Sequence, residues 1–367
     1  MPPYFPPPRE FMQVAETMLI AAAGGIGLNL FGFPGALVSG SMLAVATAAL
    51  AGRPMKVPFP LARLCFVLVG ILLGAVVTPE TLRGIATWPA SIALLVVSAI
   101  CMFVATTCYL RLVHHWDPLS ALLGASPGSM AQVLALSAEF GADLGGIAIV
   151  QVMRVLLIVL GLPAGLALFG SAVGLSSLRG VTEPSLAELA LLIVVSAIAA
   201  TVMLRIRFPG GLMFGAMAGS GFLHGMGWVH SSLPWWAGSA AVLTLGAVAG
   251  ARFTNVSGRM LLRYLGAAFG SFAVAVTVAA SFAAVVAQTL PFRIADVTVA
   301  FAPGAQDTMM VLALAMHLDP VYVGAHHLAR FLVVSFSVAL VARRTARRAP
   351  ASTGKRWKRP GQGTFDD

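Results

Sequence analysis

Apolar runs long enough to cross a bilayer, bounded by charged residues or by proline and glycine, recur along the whole chain. In the first half they cover residues 11–31, 34–52, 62–78, 89–110 and 145–169. In the second half they cover 185–204, 209–227, 235–253, 262–287 and 321–342. These predict ten membrane-spanning helices. Two further apolar segments, 118–138 and 296–317, are interrupted by Ser126-Pro127-Gly128 and Ala302-Pro303-Gly304. Proline removes a backbone donor and glycine loosens the helix, so each segment reads as two half-helices around a break.

Loop charges bear on whether the broken segments cross the membrane. If they re-enter without crossing and the basic tail is cytoplasmic, ten basic loop residues face the cytoplasm: Arg9, Arg53, Lys56, Arg63, Arg111, Arg205, Arg207, Arg252, Arg259 and Arg263. Only Arg83, Arg179 and Arg293 face outward, ten against three. Twelve crossings would change the split to seven against six. The excess of cytoplasmic lysine and arginine in membrane proteins favours ten spans.

The chain is also written twice. Phe33-Pro34-Gly35-Ala36-Leu37-Val38-Ser39-Gly40-Ser41-Met42 returns as Phe208-Pro209-Gly210-Gly211-Leu212-Met213-Phe214-Gly215-Ala216-Met217, six of ten positions identical at an offset of 175. Gly70, Gly74, Thr78 and Arg83 return at an offset of 176 as Gly246, Gly250, Thr254 and Arg259. At the same offset of 176, Pro127, Gly128, Leu136, Asp143 and Arg154 return as Pro303, Gly304, Leu312, Asp319 and Arg330. Five crossings per copy is odd, so the second copy is expected to be inverted relative to the first. The fold class expected is therefore an all-α polytopic membrane protein of about ten transmembrane helices in two inverted repeats, each with a re-entrant helix broken at Pro-Gly. Secondary transporters are built this way, with the site where the repeats meet.

Composition agrees with this class: 59% of residues are hydrophobic and 10% charged, against about 25% charged in a soluble domain. The net charge of +10 is uneven, since eight of the 23 basic residues lie in the tail from Arg343 to Arg359. Anionic lipid headgroups are the partners expected there. No folded DNA-binding module accompanies the tail, so direct nucleic-acid binding is not expected. Cys65, Cys101 and Cys108 lie inside apolar segments without metal or disulfide spacing. Nothing resembles a Walker A loop, a dinucleotide fingerprint or a nucleophile elbow, so no enzyme activity, cofactor or metal is expected and any transport is ion-coupled or passive. The expected organisation is a Pro-rich lead-in over 1–10 rather than a cleavable signal, repeats over 11–170 and 185–342, and a disordered basic tail over 343–367.

Candidate binding residues cluster around the breaks. Pro127, Gly128, Pro303 and Gly304 would free backbone N–H and C=O groups to hold an ion or an anionic group, with a packing kink as the competing role. Arg154 and Arg330 sit well inside apolar spans, where an unpaired arginine is costly. Their expected partners are Asp143, Asp319, Glu139 and Asp307, in structural ion pairs, or else the carboxylate of a substrate. Asp307, whose first-copy counterpart is Ala131, is a candidate proton or sodium site. Gln132 and its counterpart Thr308 could add neutral polar contacts, as could Gln151 and its counterpart His327. His326 and His327 are adjacent and point about 100° apart on a helix, so they cannot share a metal. The two Phe-Pro-Gly blocks, followed by small residues at four-residue spacing, read as helix-packing elements.

These paired blocks resemble the AbrB membrane proteins, the AbrB-duplication family of bacteria, over essentially residues 11–342. In that family the second block runs Pro-Gly-Gly-x-x-Glu-Met, then Gly-Ala-Asp, then His-x-x-Arg. This chain keeps Gly141-Ala142-Asp143 with Gln151 and Arg154, and Leu318-Asp319-Pro320 with His327 and Arg330. Gln132 and Thr308 stand where the family carries glutamate. Members bear inherited labels of transcriptional regulator and of ammonia monooxygenase, and no residue here suits copper chemistry. The expectation is a transporter or exporter of a small solute, with H+ or Na+ as candidate coupling ion, in the bacterial inner membrane with both termini cytoplasmic. The alternative that the resemblance implies is a membrane-bound regulator of gene expression. Homo-oligomerisation stays open.

Overall fold

Several helix starts are chemically marked. Asp117, Ser185 and Ser257 each turn a side-chain oxygen onto the N–H groups of the turn that follows, satisfying donors that a helix leaves unpaired. The computed structural model describes residues 8–77, 84–126, 130–168, 185–254 and 256–348, and among these the regular structure is entirely helical. The first copy holds α1 (Pro8–Leu30), α2 (Ala36–Leu50), α3 (Phe59–Gly74), α4 (Trp88–Leu112), α5 (Pro118–Ala125), α6 (Met130–Phe140) and α7 (Leu144–Leu168). The second holds α8 (Leu186–Arg205), α9 (Gly211–Gly225), α10 (Trp235–Gly250), α11 (Gly258–Thr289), α12 (Ile294–Phe301), α13 (Gln306–Ala315) and α14 (Pro320–Arg348). The chain is an all-α polytopic membrane protein, and among the described residues five stretches are long and apolar enough to cross a bilayer: Glu10–Leu30, Ile85–Leu112, Leu144–Leu168, Leu186–Arg205 and Gly258–Thr289.

Both expected interruptions are present. Helix α5 stops at Ala125 and α6 starts at Met130, and α12 stops at Phe301 with α13 starting at Gln306. Pro127 and Gly128 lie outside the described residues. Two boundaries differ from expectation. Helix α1 already begins at Pro8, inside the segment read as a lead-in. Helix α14 runs to Arg348, six residues past the expected end at 342. Arginine and alanine are strong helix formers, so the start of the basic tail extends the helix instead of breaking it. Residues 349–367 lie outside the described part.

Helices α2, α3, α9 and α10 have 15 or 16 residues, shorter than the roughly 20 of a typical membrane-spanning helix. They form the centre of the molecule, with Val38, Met42, Val69, Leu73, Met213 and Ala247 all buried. Helix α3 packs on α9 and α10 packs on α2. Gly70 and Gly74 face the backbone of Met213 and Met217 so closely that a Cβ would collide. Their counterparts Gly246 and Gly250 face Val38 and Met42 in the same way. Small residues at these positions let the backbones approach, which is how helices associate where lipid removes the hydrophobic drive.

The main helix pairs between the copies recur when the copies are exchanged. The pair α2–α10 is matched by α9–α3, α7–α11 by α14–α4, and α1–α10 by α8–α3. The turns repeat as well. Gly35 and Gly210 precede α2 and α9 with φ of 66° and 64°, which explains glycine in both Phe-Pro-Gly blocks. Gly141 at φ 72° is matched by His317 at φ 54°, and Gly32 at φ 67° by Arg207 at φ 58°. At those two turns the duplicated backbone persists where the residue type has diverged.

Candidate functional site

A helix that stops inside the protein leaves its last carbonyls without N–H partners. At the end of α5, Arg154 of α7 supplies them: Nη2 donates to Ser126 O at 3.0 Å and Nη1 reaches Ala125 O at 3.5 Å. At the end of α12, Arg330 of α14 does the same. Its Nη1 donates to Ala302 O at 2.5 Å, and Nη2 to Gly304 O at 2.7 Å. One turn earlier on each long helix a second side chain joins. Gln151 Nε2 donates to Leu123 O at 3.2 Å, and His327 Nε2 lies 3.1 Å from Val299 O. Each pair of counterparts is 176 residues apart, so the duplication has kept a whole hydrogen-bonding device.

Arg330 also points Nη2 at His327 Nδ1, 2.6 Å away. A guanidinium only donates, so Nδ1 must accept, which puts the imidazole proton on Nε2 facing Val299 O. His327 is thus a neutral, fully engaged side chain. Its neighbour His326 is buried between Ser91 Oγ at 2.7 Å and Tyr322 O at 2.8 Å, joining α14 to α4.

Arg154 and Arg330 line one cavity of about 520 Å³. Its floor holds Gln151, His327 and Arg330, the last only 2% exposed. Its mouth holds exposed Phe59 and Leu204, with Arg252 half-buried beside them. Both copies contribute to the wall. Residues 304–307, across the second break, form one side, and α13 starts there at Gln306 without a side-chain cap. Asp307 lines the cavity and, among the described residues, has no ion pair within 4 Å.

Several expected roles are corrected. Among the described residues neither arginine pairs with a carboxylate. Asp143 instead starts α7, accepting from Gly146 N at 3.2 Å and from the Tyr264 hydroxyl at 2.5 Å. Asp319 starts α14, accepting from Val321 N at 2.9 Å and Tyr322 N at 3.0 Å. Both carboxylates sit at helix N-termini, where the backbone donors and the dipole favour negative charge. Pro303 and Thr308 are buried beside the cavity rather than on its wall, and Glu139 is exposed. The Gln132 side chain lies outside the described part.

Sequence reasoning assigned the Phe-Pro-Gly blocks to packing alone. The second block contributes Phe208, Pro209 and Gly210 to the cavity wall, with Gly210 close to Gln306 at the break. The signal was the duplication itself, which marked that block as strongly as the Pro-Gly breaks. Arg252, Phe59 and Phe66 were also missed, because nothing local distinguishes them from other loop and lipid-facing residues.

The sequence profile of the family described as "Transition state regulatory protein AbrB" matches residues 37–346, which takes in both breaks and both arginines. The chain belongs to the AbrB family. AbrB relatives cover nearly its whole length. A protein of Escherichia coli (strain K12) named "Putative regulator AbrB" is 24% identical over 356 residues, 94% of this chain and 99% of its own. One of Bacillus subtilis (strain 168) named "Uncharacterized protein YhjN" is 23% identical over 339 residues, 86% of this chain and 88% of its own.

Proposed function

We propose that this AbrB-family protein is a secondary transporter or exporter of a small solute, ion-coupled or passive, with its site at the junction of the two repeats. The observation that carries the reading is the pair Arg154 and Arg330. Each caps the broken helix of its own copy, and both face one cavity lined from both copies. Transporters with inverted repeats place substrate between broken helices in this manner. Ten crossings, with α5–α6 and α12–α13 re-entering from opposite faces, bring the cavity mouth to the face that carries Arg252, Arg205 and Arg207. The positive-inside rule makes that face cytoplasmic in a bacterial inner membrane, with both termini on the same side. Asp307 is the candidate site for a coupling H+ or Na+, and the basic tail rests on anionic headgroups.

A second reading is favoured by the name of the E. coli relative: a membrane-bound regulator of gene expression acting through its basic tail. The two are separated by comparing cells that carry the native chain, Arg154→Gln, Asp307→Asn or a truncation after Arg344. Small molecules in cells and medium are read by mass spectrometry, and transcripts by sequencing. A transporter redistributes a solute, loses this in Arg154→Gln and Asp307→Asn, and keeps it in the truncation. Transcript changes lost in the truncation alone, with no solute moved, would establish the regulator.

A further inference from the structure

We infer that the cavity binds an amphipathic organic anion: a ring-bearing apolar body carrying one carboxylate or similar acid group. The inference deepens the transporter reading by naming its substrate class, and the binding step stands on geometry of its own.

Charge is the first argument. The cavity wall carries three arginines, Arg154, Arg252 and Arg330, against one carboxylate, Asp307, an excess of two positive charges. Arg330 is 2% exposed and has no carboxylate partner among the described residues. Its contacts are neutral: two carbonyls and one imidazole nitrogen. Among the described residues, three of the five guanidinium N–H groups are used in this way and two remain. A desolvated cation held only by dipoles is costly unless a counter-charge arrives. Helix α13 also begins on this wall, at Gln306, without a side-chain cap, and a helix N-terminus favours negative charge.

Shape is the second argument. Phe66, Phe208 and Phe331 wall the cavity together with Leu212 and Val155, and exposed Phe59 lines it as well. A space of about 520 Å³ falls within the roughly 300–1,000 Å³ of sites that enclose ligands of drug-like size. Acetate would leave most of this wall bare. An aromatic body would cover it while its acid group meets the arginines through their planar forks.

The test uses the full chain, purified in detergent, with 2-naphthoate as probe and equilibrium dialysis as readout. Controls are 2-naphthamide (neutral), 2-naphthylmethylamine (cationic), acetate and decanoate. Naphthoate is expected to bind at least about tenfold more tightly than the amide or the amine, because only the acid forms charge-assisted bonds. Arg154→Gln should remove this preference. Asp307→Asn should strengthen naphthoate binding severalfold, by removing the one negative charge on the wall; it is also the variant least apt to disturb folding.

Equal binding of acid and amide, preference for the amine, weaker naphthoate binding in Asp307→Asn, or no binding of any probe would each overturn the anion site. Acetate or decanoate binding as tightly as naphthoate would overturn the ring-bearing body. Flux of bound naphthoate into proteoliposomes is scored separately. Binding without flux keeps the anion site and removes transport; flux of some other solute without naphthoate binding does the reverse.

Discussion

The hydroxyl of Tyr264 donates to Asp143 across 2.5 Å, a side-chain bond between the first copy and the second. The same carboxylate takes the N–H of Gly146, so it starts α7 while holding α11 against it. Tyr264→Phe removes only the bridge between copies and is expected to destabilise the protein by about 1 kcal/mol, a modest value because the pair is partly exposed. Asp143→Ala also removes the helix cap and should cost about 1 kcal/mol more. Thermal unfolding in detergent reads both.

Arg154 and Arg330 do equivalent work in unequal surroundings. Arg330 is almost wholly enclosed and Arg154 is half-buried. Arg330→Gln takes the guanidinium donors from the Gly304 carbonyl and from the Ala302 carbonyl, which keeps only the Gly304 N–H, in a buried place, and is expected to cost on the order of 3 kcal/mol. Arg154→Gln should cost less than half as much. Arg330→Lys should rescue little, since a single ammonium cannot bridge two carbonyls as the fork does. Folded yield on size exclusion, with unfolding midpoints, ranks the three.

His327 and Gln151 are interchangeable by design of the fold. Each sends a side-chain donor to the carbonyl 28 residues earlier. His327→Gln keeps a donor for Val299 O and an acceptor for Arg330, so its effect should stay within about 1 kcal/mol. His327→Leu removes both and should cost about 2–3 kcal/mol. A larger loss in the Gln variant than in the Leu variant would contradict the assigned tautomer.

Glycines divide by what they face. Gly246→Val drives a side chain into the Val38 carbonyl and Ser41 at the α2–α10 contact, and loss of folded protein is expected. Gly161 and Gly165 lie in α7 with open space where a Cβ would go. Gly161→Ala should therefore be tolerated and gain up to about 1 kcal/mol from helix propensity. Membrane-fraction yield of the variants decides.

Much of the architecture was legible because its signals are local. Apolar length marked each helix within a few residues, and Pro-Gly marked both interruptions. The matched spacing of Gly70 with Gly246 and of Arg154 with Arg330 marked the two copies. The end of α14 was misread because hydropathy falls at Arg343 while helix propensity does not. The partners of Arg154 and Arg330 were misread because linear proximity suggested Asp143 and Asp319, whose carboxylates are drawn to helix N-termini instead.

By itself, then, the sequence determined a duplicated, all-helical membrane chain with two broken helices and a buried arginine beside each break. Those features follow from hydropathy, backbone chemistry and repetition, all of which are properties of neighbouring residues. Only the tertiary structure decided that the arginines serve carbonyls rather than carboxylates, and that both face one cavity beside the second Phe-Pro-Gly turn. The physical reason is that a buried cation accepts whichever negative groups lie within reach of its N–H bonds. That reach is set by how α7 and α14 pack against the ends of α5 and α12, which no stretch of sequence encodes alone.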